Sequence, residues 1–159
     1  MPFFTINSKR LHYTDSKPDG DAPITASSTG KTLVFIHGLG STQNYFFPII
    51  PTLTAAGYRC VTFDNYGAGR SKLDFQQQEH SLETIGQDVL ALMDALEVPK
   101  AVLVGYSMGG MVPTRVAAMD GKAEGEKRVE GAVCIGPVHP TEGAAEVFRK
   151  RIPAVRDGE

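Results

Sequence analysis

Four short apolar runs limit what this chain can fold into. TLVFIHG (residues 32–38), RCVTFD (59–64), AVLVGY (101–106) and VEGAVCIGPV (129–138) carry almost no polar alternation. A strand that alternates polar and apolar residues can leave one face in water, whereas an unbroken apolar run is covered on both faces. Between these runs lie segments of helical periodicity. Residues 42–56 place Tyr45, Phe46, Ile49, Ile50 and Leu53 at helical spacing, with Pro48 and Pro51 interrupting. Residues 81–96 carry a stripe of Leu82, Ile85, Val89, Leu92 and Leu96, with Ser81 as cap and Glu83 in the first turn. Residues 108–119 read as a third helix. Buried strands alternating with helices imply an α/β fold, a mostly parallel sheet with helices on both faces.

The N-terminus reads differently. Residues 3–7 and 10–14 are two short strands joined by Ser8-Lys9 as a hairpin, and the polar stretch DSKPDGDAPITASSTGK that follows is a surface loop. The 159 residues are expected to form one domain. A net charge of −2 carries no basic excess for a nucleic-acid surface. No apolar run approaches the roughly 18 residues that span a bilayer, and residues 1–15 do not read as a signal peptide. Cys60 and Cys134, the two cysteines, lie in separate apolar runs and are expected to be reduced, buried and structural. A soluble cytoplasmic protein is the expectation.

The chemistry begins at the third run, which continues as GYSMGG. Ser107 stands in a G-x-S-x-G pattern between a buried strand and a helix, beyond the carboxyl end of the strand, where ligands collect in parallel sheets. A nucleophile at so sharp a turn has an exposed side chain on strained backbone. Gly105 and Gly109 are expected because side chains there would clash between strand and helix. The Met108 N–H, at the helix start, is placed to meet an oxyanion. HGLG (37–40) follows the first buried strand, and its glycines let the backbone present a second donor, that of Leu39. DNYGAGRS (64–71) follows the second. Asp64 there reads either as a catalytic acid or as a group that orders the turn by bonding nearby N–H groups, and the ordering role is preferred.

HGLG, DNYGAGRS and GYSMGG, in this order and spacing, resemble the N-terminal half of an α/β-hydrolase fold protein, and within that superfamily most resemble the lactonase and esterase branch, including 3-oxoadipate enol-lactonase-like proteins. The resemblance runs from the first hairpin to about Pro137. It implies that Ser107 is the nucleophile and that the Leu39 and Met108 amides form the oxyanion hole. It implies attack on a small-molecule carboxylic ester or lactone, with no cofactor and no metal. Tyr66 departs from the family pattern, which commonly has arginine there. A serine at the elbow separates the chain from relatives that use aspartate.

The same resemblance implies two later strands, usually after a helical lid, with an acid following a later strand and a histidine near the C-terminus, and these strands and triad partners are expected to be missing from this chain. Residues 1–159 are expected to be the N-terminal part of a single domain, with a core to about residue 137 and a first lid helix at 141–152. Of the four histidines, His12 lies in the hairpin, far from the expected site, and His37 belongs to the oxyanion loop. His80 precedes a helix as a solvated loop residue. His139 alone is a candidate base, against the alternative of a pocket-lining or loop-ordering place. VEGAVCIG is expected to form an open apolar sheet edge, prone to self-association. The competing reading is a non-catalytic protein of the same fold that binds a small ligand or a partner chain. GKT at residues 30–32 does not make a P-loop, because a strand and not a helix follows it. GAG at 67–69 lacks the third glycine of a dinucleotide fingerprint.

Overall fold

The computed structural model describes residues 2–18, 30–73, 80–120, 127–139, 141–143, 145–147 and 149–150. Its strands are β1 (Phe3–Ile6), β2 (Lys9–Ser16), β3 (Thr32–Ile36), β4 (Arg59–Phe63), β5 (Ala101–Tyr106) and β6 (Val129–Ile135). The helices are α1 (Ile50–Ala55), α2 (Leu82–Ala95) and α3 (Val112–Asp120). One six-stranded sheet has the order β1-β2-β4-β3-β5-β6. β4, β3, β5 and β6 run parallel, and the hairpin adds β2 antiparallel to β4. The mostly parallel sheet expected from the four apolar runs is present.

β3 explains why its run lacks alternation, since all five of its residues are buried. Val34 and Ile36 face a cluster with Val89, Leu92 and Met93 of α2 and Val112 and Val116 of α3. Leu33 and Phe35 face a second cluster with Phe46, Ile50 and Cys60, on the α1 side. Each face of the sheet is therefore covered by helix. β3 is central, β4 lies to one side and β5 to the other. The chain reverses direction across the sheet between β4 and β5, which makes the carboxyl ends of β3 and β5 its topological switch point.

Several expectations are corrected. The hairpin turn is Asn7-Ser8, both at positive φ (48° and 60°), as a two-residue turn that matches strand twist requires. Lys9 thus begins β2 and is buried, its ammonium 2.8 Å from Asp88 Oδ2 on α2, while Asn7 Nδ2 donates to Asp88 Oδ1. Residues 42–56 form a 3-10 turn, Gln43–Phe46, and then α1; Pro51 sits in the first turn of α1, where its missing N–H costs nothing. α2 begins as expected: Ser81 Oγ accepts the Thr84 N–H, and Thr84 Oγ1 accepts that of Ser81. The third helix starts as a 3-10 turn, Ser107–Met111, before α3.

Cys60 is buried, and burial pushes its thiol up to about 11. Cys134 is exposed, contrary to expectation. Among the described residues β6 is the outermost strand on its side of the sheet, its side chains lack the cover that β3 and β5 receive, and Val133 and Ile135 are also exposed. In the 141–152 segment the described residues 142–143, 145–147 and 149–150 are helical, and residues 151–152 lie outside the description.

Candidate active site

β3 and β5 are paired neighbours, with Ile36 opposite Gly105, so the loops that leave their carboxyl ends meet. The sequence forces the meeting to be close. A β-carbon on Gly105 would overlap the backbone of Gly109 and Gly110, and one on Gly109 would overlap the backbone of Ile36 and His37. Only glycine lets the first turn after β5 lie against both strands. Ser107 is held at φ +54°, a left-handed conformation that is costly for a residue with a side chain. This is the strained strand-to-helix turn expected of an elbow.

Gly38 brings the HGLG loop against that serine. A β-carbon built on Gly38 would stand 3.0 Å from Ser107 Cβ, 3.2 Å from the Tyr106 carbonyl and 3.5 Å from Ser107 Oγ. Leu39 and Met108 both line a cavity of about 850 Å³. Among the described residues the Leu39 amide donates no backbone hydrogen bond. Met108, second in its helical turn, has no acceptor within the turn. Ser107 is half-buried at the cavity's edge rather than in its lining, between the lining residues Gly38 and Met108.

His37 stiffens the loop. Its Nε2 accepts the Asn65 N–H at 3.0 Å, which places the ring proton on Nδ1, and Nδ1 donates to the Gly38 carbonyl at 2.8 Å. Burial lowers its pKa, against the opposing pull of the Gly38 carbonyl and the Asp64 charge. With both nitrogens committed, His37 serves loop structure.

Asp64 is buried in the turn-ordering place. Its Oδ1 accepts the Gln43 N–H (2.9 Å) and its Oδ2 the Arg70 N–H (3.0 Å), while Gly69 at φ +52° packs directly on the carboxylate. Burial alone would raise its pKa. The hydrogen bonds from Arg70, Gln43 and His12 outweigh burial and hold the carboxyl below its ordinary range. His12 is not remote from this network: β2 pairs with β4, and His12 Nδ1 lies 3.1 Å from Asp64 Oδ2. Ser71 Oγ donates to the Asp64 carbonyl and accepts the His12 N–H.

His80 is exposed as expected, yet it also lines the cavity and stacks on Tyr66, with ring centroids 5.3 Å apart. Leu73, Leu82, Ile85, Met111 and Val138 supply most of the remaining apolar wall. His139 is exposed and outside the lining; its carbonyl accepts the Thr141 N–H. Among the described residues no histidine is hydrogen-bonded to Ser107. Among those same residues no group of three or more His, Cys, Asp or Glu could hold a metal ion, and no helix is long and apolar enough to cross a membrane.

The geometry agrees with comparison to known proteins. The sequence profile of the alpha/beta hydrolase fold matches residues 31–159. The chain belongs to the α/β-hydrolase family. Over 88 residues (55% of the chain) it is 34% identical to 3-oxoadipate enol-lactonase 1 of Acinetobacter baylyi. Over 83 residues (51% of the chain) it is 35% identical to the Karrikin insensitive 2 receptor IA of Petunia hybrida. Its structure is similar to that of the enol-lactonase from Burkholderia xenovorans LB400, with a TM-score of 0.65 and 26% identity over 81% of this chain. The matches span 32% and 30% of the two curated relatives and 44% of the solved enol-lactonase chain.

Asn65, Tyr66 and His80 were not singled out from sequence as site residues. The one available signal was Asn65 and Tyr66 directly following Asp64 in the glycine-rich turn.

Proposed function

We propose that the chain is the nucleophile-bearing part of a serine hydrolase of small carboxylic esters or lactones. Ser107 at φ +54°, with Gly38 packed against it beside an apolar cavity, is the observation that carries this reading. Ser107 Oγ attacks the carbonyl carbon and gives its proton to a base, and the new oxyanion is held by the Leu39 and Met108 amides. Collapse expels the alcohol or opens the lactone ring, leaving an acyl group on Ser107 that water then removes. The likeness to an enol-lactonase supports the substrate class. The reading includes action in the cytoplasm and needs no cofactor, metal, nucleic acid or membrane surface.

Among the described residues no imidazole is bonded to Ser107, so the proposed nucleophile and its donors stand there without a histidine base in place. That same observation favours a second reading, a ligand-binding protein of this fold, and a relative named as a receptor is consistent with it.

The test is p-nitrophenyl butyrate with intact mass analysis. The expected result is slow acylation confined to Ser107, with no sustained turnover. Turnover that disappears in His139→Ala would make His139 the base. Equal p-nitrophenol release by Ser107→Ala would overturn the serine mechanism.

A further inference from the structure

We propose that His80 is a binding residue of the cavity, its imidazole receiving a carboxylate that the ligand carries in addition to its ester or lactone group. The inference rests on the reading of the cavity as an ester or lactone site and adds an acidic group to the ligand.

The lining decides which side chain can meet a charge. Among the described residues the cavity wall holds no Asp, Glu, Lys or Arg, and its ionisable side chains are two imidazoles and the Tyr66 phenol. His37 is buried, with Nε2 on the Asn65 N–H and Nδ1 on the Gly38 carbonyl, so neither ring nitrogen is open to a ligand. Tyr66 is also buried. His80 is exposed at the wall, and among the described residues neither of its ring nitrogens is hydrogen-bonded or ion-paired.

The ring is nonetheless held in place. It lies on Tyr66 with centroids 5.3 Å apart and planes 15° apart, an arrangement that covers a ring face and leaves the N–H edge free. Gly67, at φ +83°, gives the ring room: a β-carbon there would stand 3.5 Å from His80 Cε1. The surrounding charges already have partners. Lys9 Nζ, 5.7 Å from the Tyr66 centroid, is paired with Asp88. The other carboxylates of α2, Glu83 and Asp94, are paired with Arg115 and Arg128. Asp64, in the turn that carries Tyr66, is bound by the Gln43 and Arg70 amides. An imidazole gains its proton between about pH 8 and pH 5, and at His80 that proton would set a positive charge on an otherwise uncharged, largely apolar wall. The ligand class is an ester or lactone with an apolar body and a carboxylate.

The monomethyl esters of the straight-chain diacids, from succinate to suberate, are compared with the same esters carrying a terminal carboxamide, which keep the shape and lose the charge. Binding to the 159-residue chain is followed by titration, with the methyl resonances of Met108 and Met111 reporting occupancy of the cavity. At about pH 5.5 the best-fitting acid should bind about threefold more tightly than its amide, the scale of one partly exposed ion pair, and at about pH 8.5 that preference should vanish. His80→Phe keeps an aromatic ring for the Tyr66 stack and should abolish the preference at both pH values. His80→Arg, which stays charged, should hold it at both. His37 is present in every variant, so its own titration cancels from the comparison. Binding in the cavity with no preference for the acid, or a preference that survives His80→Phe, would overturn the inference and leave the cavity reading intact. Binding of neither ester series in the cavity would overturn the reading and the inference with it.

Discussion

Gly38 and Ser107 are in contact across two loops that lie far apart in sequence: a β-carbon on Gly38 would sit 3.0 Å from the Ser107 β-carbon. That spacing is tighter than side-chain atoms ordinarily adopt, so glycine at residue 38 is a condition of the site's geometry. Gly38→Ala should push the HGLG loop off the turn at Ser107 by a few tenths of an ångström. The expected loss is about tenfold or more in acylation rate at Ser107, from donors moved out of line. The stability cost should be about 1–3 kcal/mol, as for other overpacked positions. Phosphonate labelling rates and urea denaturation measure the two effects separately.

Lys9 and Asp88 form a buried ion pair between β2 and α2, 2.8 Å apart. Asp88→Ala leaves the Lys9 ammonium buried without its carboxylate, and should destabilise the chain by about 3–5 kcal/mol. Replacing both with apolar residues, as Lys9→Met with Asp88→Leu, should cost much less. Urea midpoints of the single and double variants provide the check.

Two buried groups give stability a pH dependence. His37 has a lowered folded pKa, chiefly through burial. The unfolded chain then binds more protons, so stability is full above about pH 6.5 and falls as pH drops from there towards the folded pKa. Asp64 is also lowered, by hydrogen bonds that outweigh burial. Its contribution is present above the ordinary carboxylate pKa, about 3.9, and fades as pH falls below that value. Urea midpoints from pH 8 to pH 3 should fall in two stages, with Asp64→Asn removing the lower one.

The cysteines should report the state of the open edge. In the folded chain a thiol reagent should modify Cys134, which is exposed, and spare Cys60, which is buried with its thiol pushed up to about 11. If β6 pairs with a second copy, as its exposed Val133 and Ile135 favour, Cys134 reactivity should fall as concentration rises. Light scattering should show association in parallel, and Ile135→Lys should suppress it. A stable monomer at all concentrations would contradict self-association.

Much of the fold was legible because β3, β4 and β5 are covered on both faces, and that burial writes itself as apolar runs. The elbow was legible because Gly105 and Gly109 are required by backbone contact alone. What was not legible depends on pairing across the sheet. His12 reads as remote until β2 is laid beside β4, which brings it to Asp64. Lys9 reads as a polar turn residue until Asp88 is placed opposite it. Cys134 occupies an apolar run like that of Cys60, and its place on β6, the outermost strand among the described residues, leaves it exposed. His80 meets Tyr66 through loop packing that no local pattern encodes.

The central claim is that Ser107 is a nucleophile held ready beside its oxyanion donors, with no imidazole in place to take its proton. It is tested most directly by fluorophosphonate modification of the folded chain, read by intact mass over a range of pH. The account predicts a single adduct at Ser107 that is absent from Ser107→Ala. The rate should climb steadily with hydroxide and show no plateau near pH 7, where a histidine base would produce one. No adduct on the folded chain at any pH, or an adduct that persists in Ser107→Ala, would contradict it.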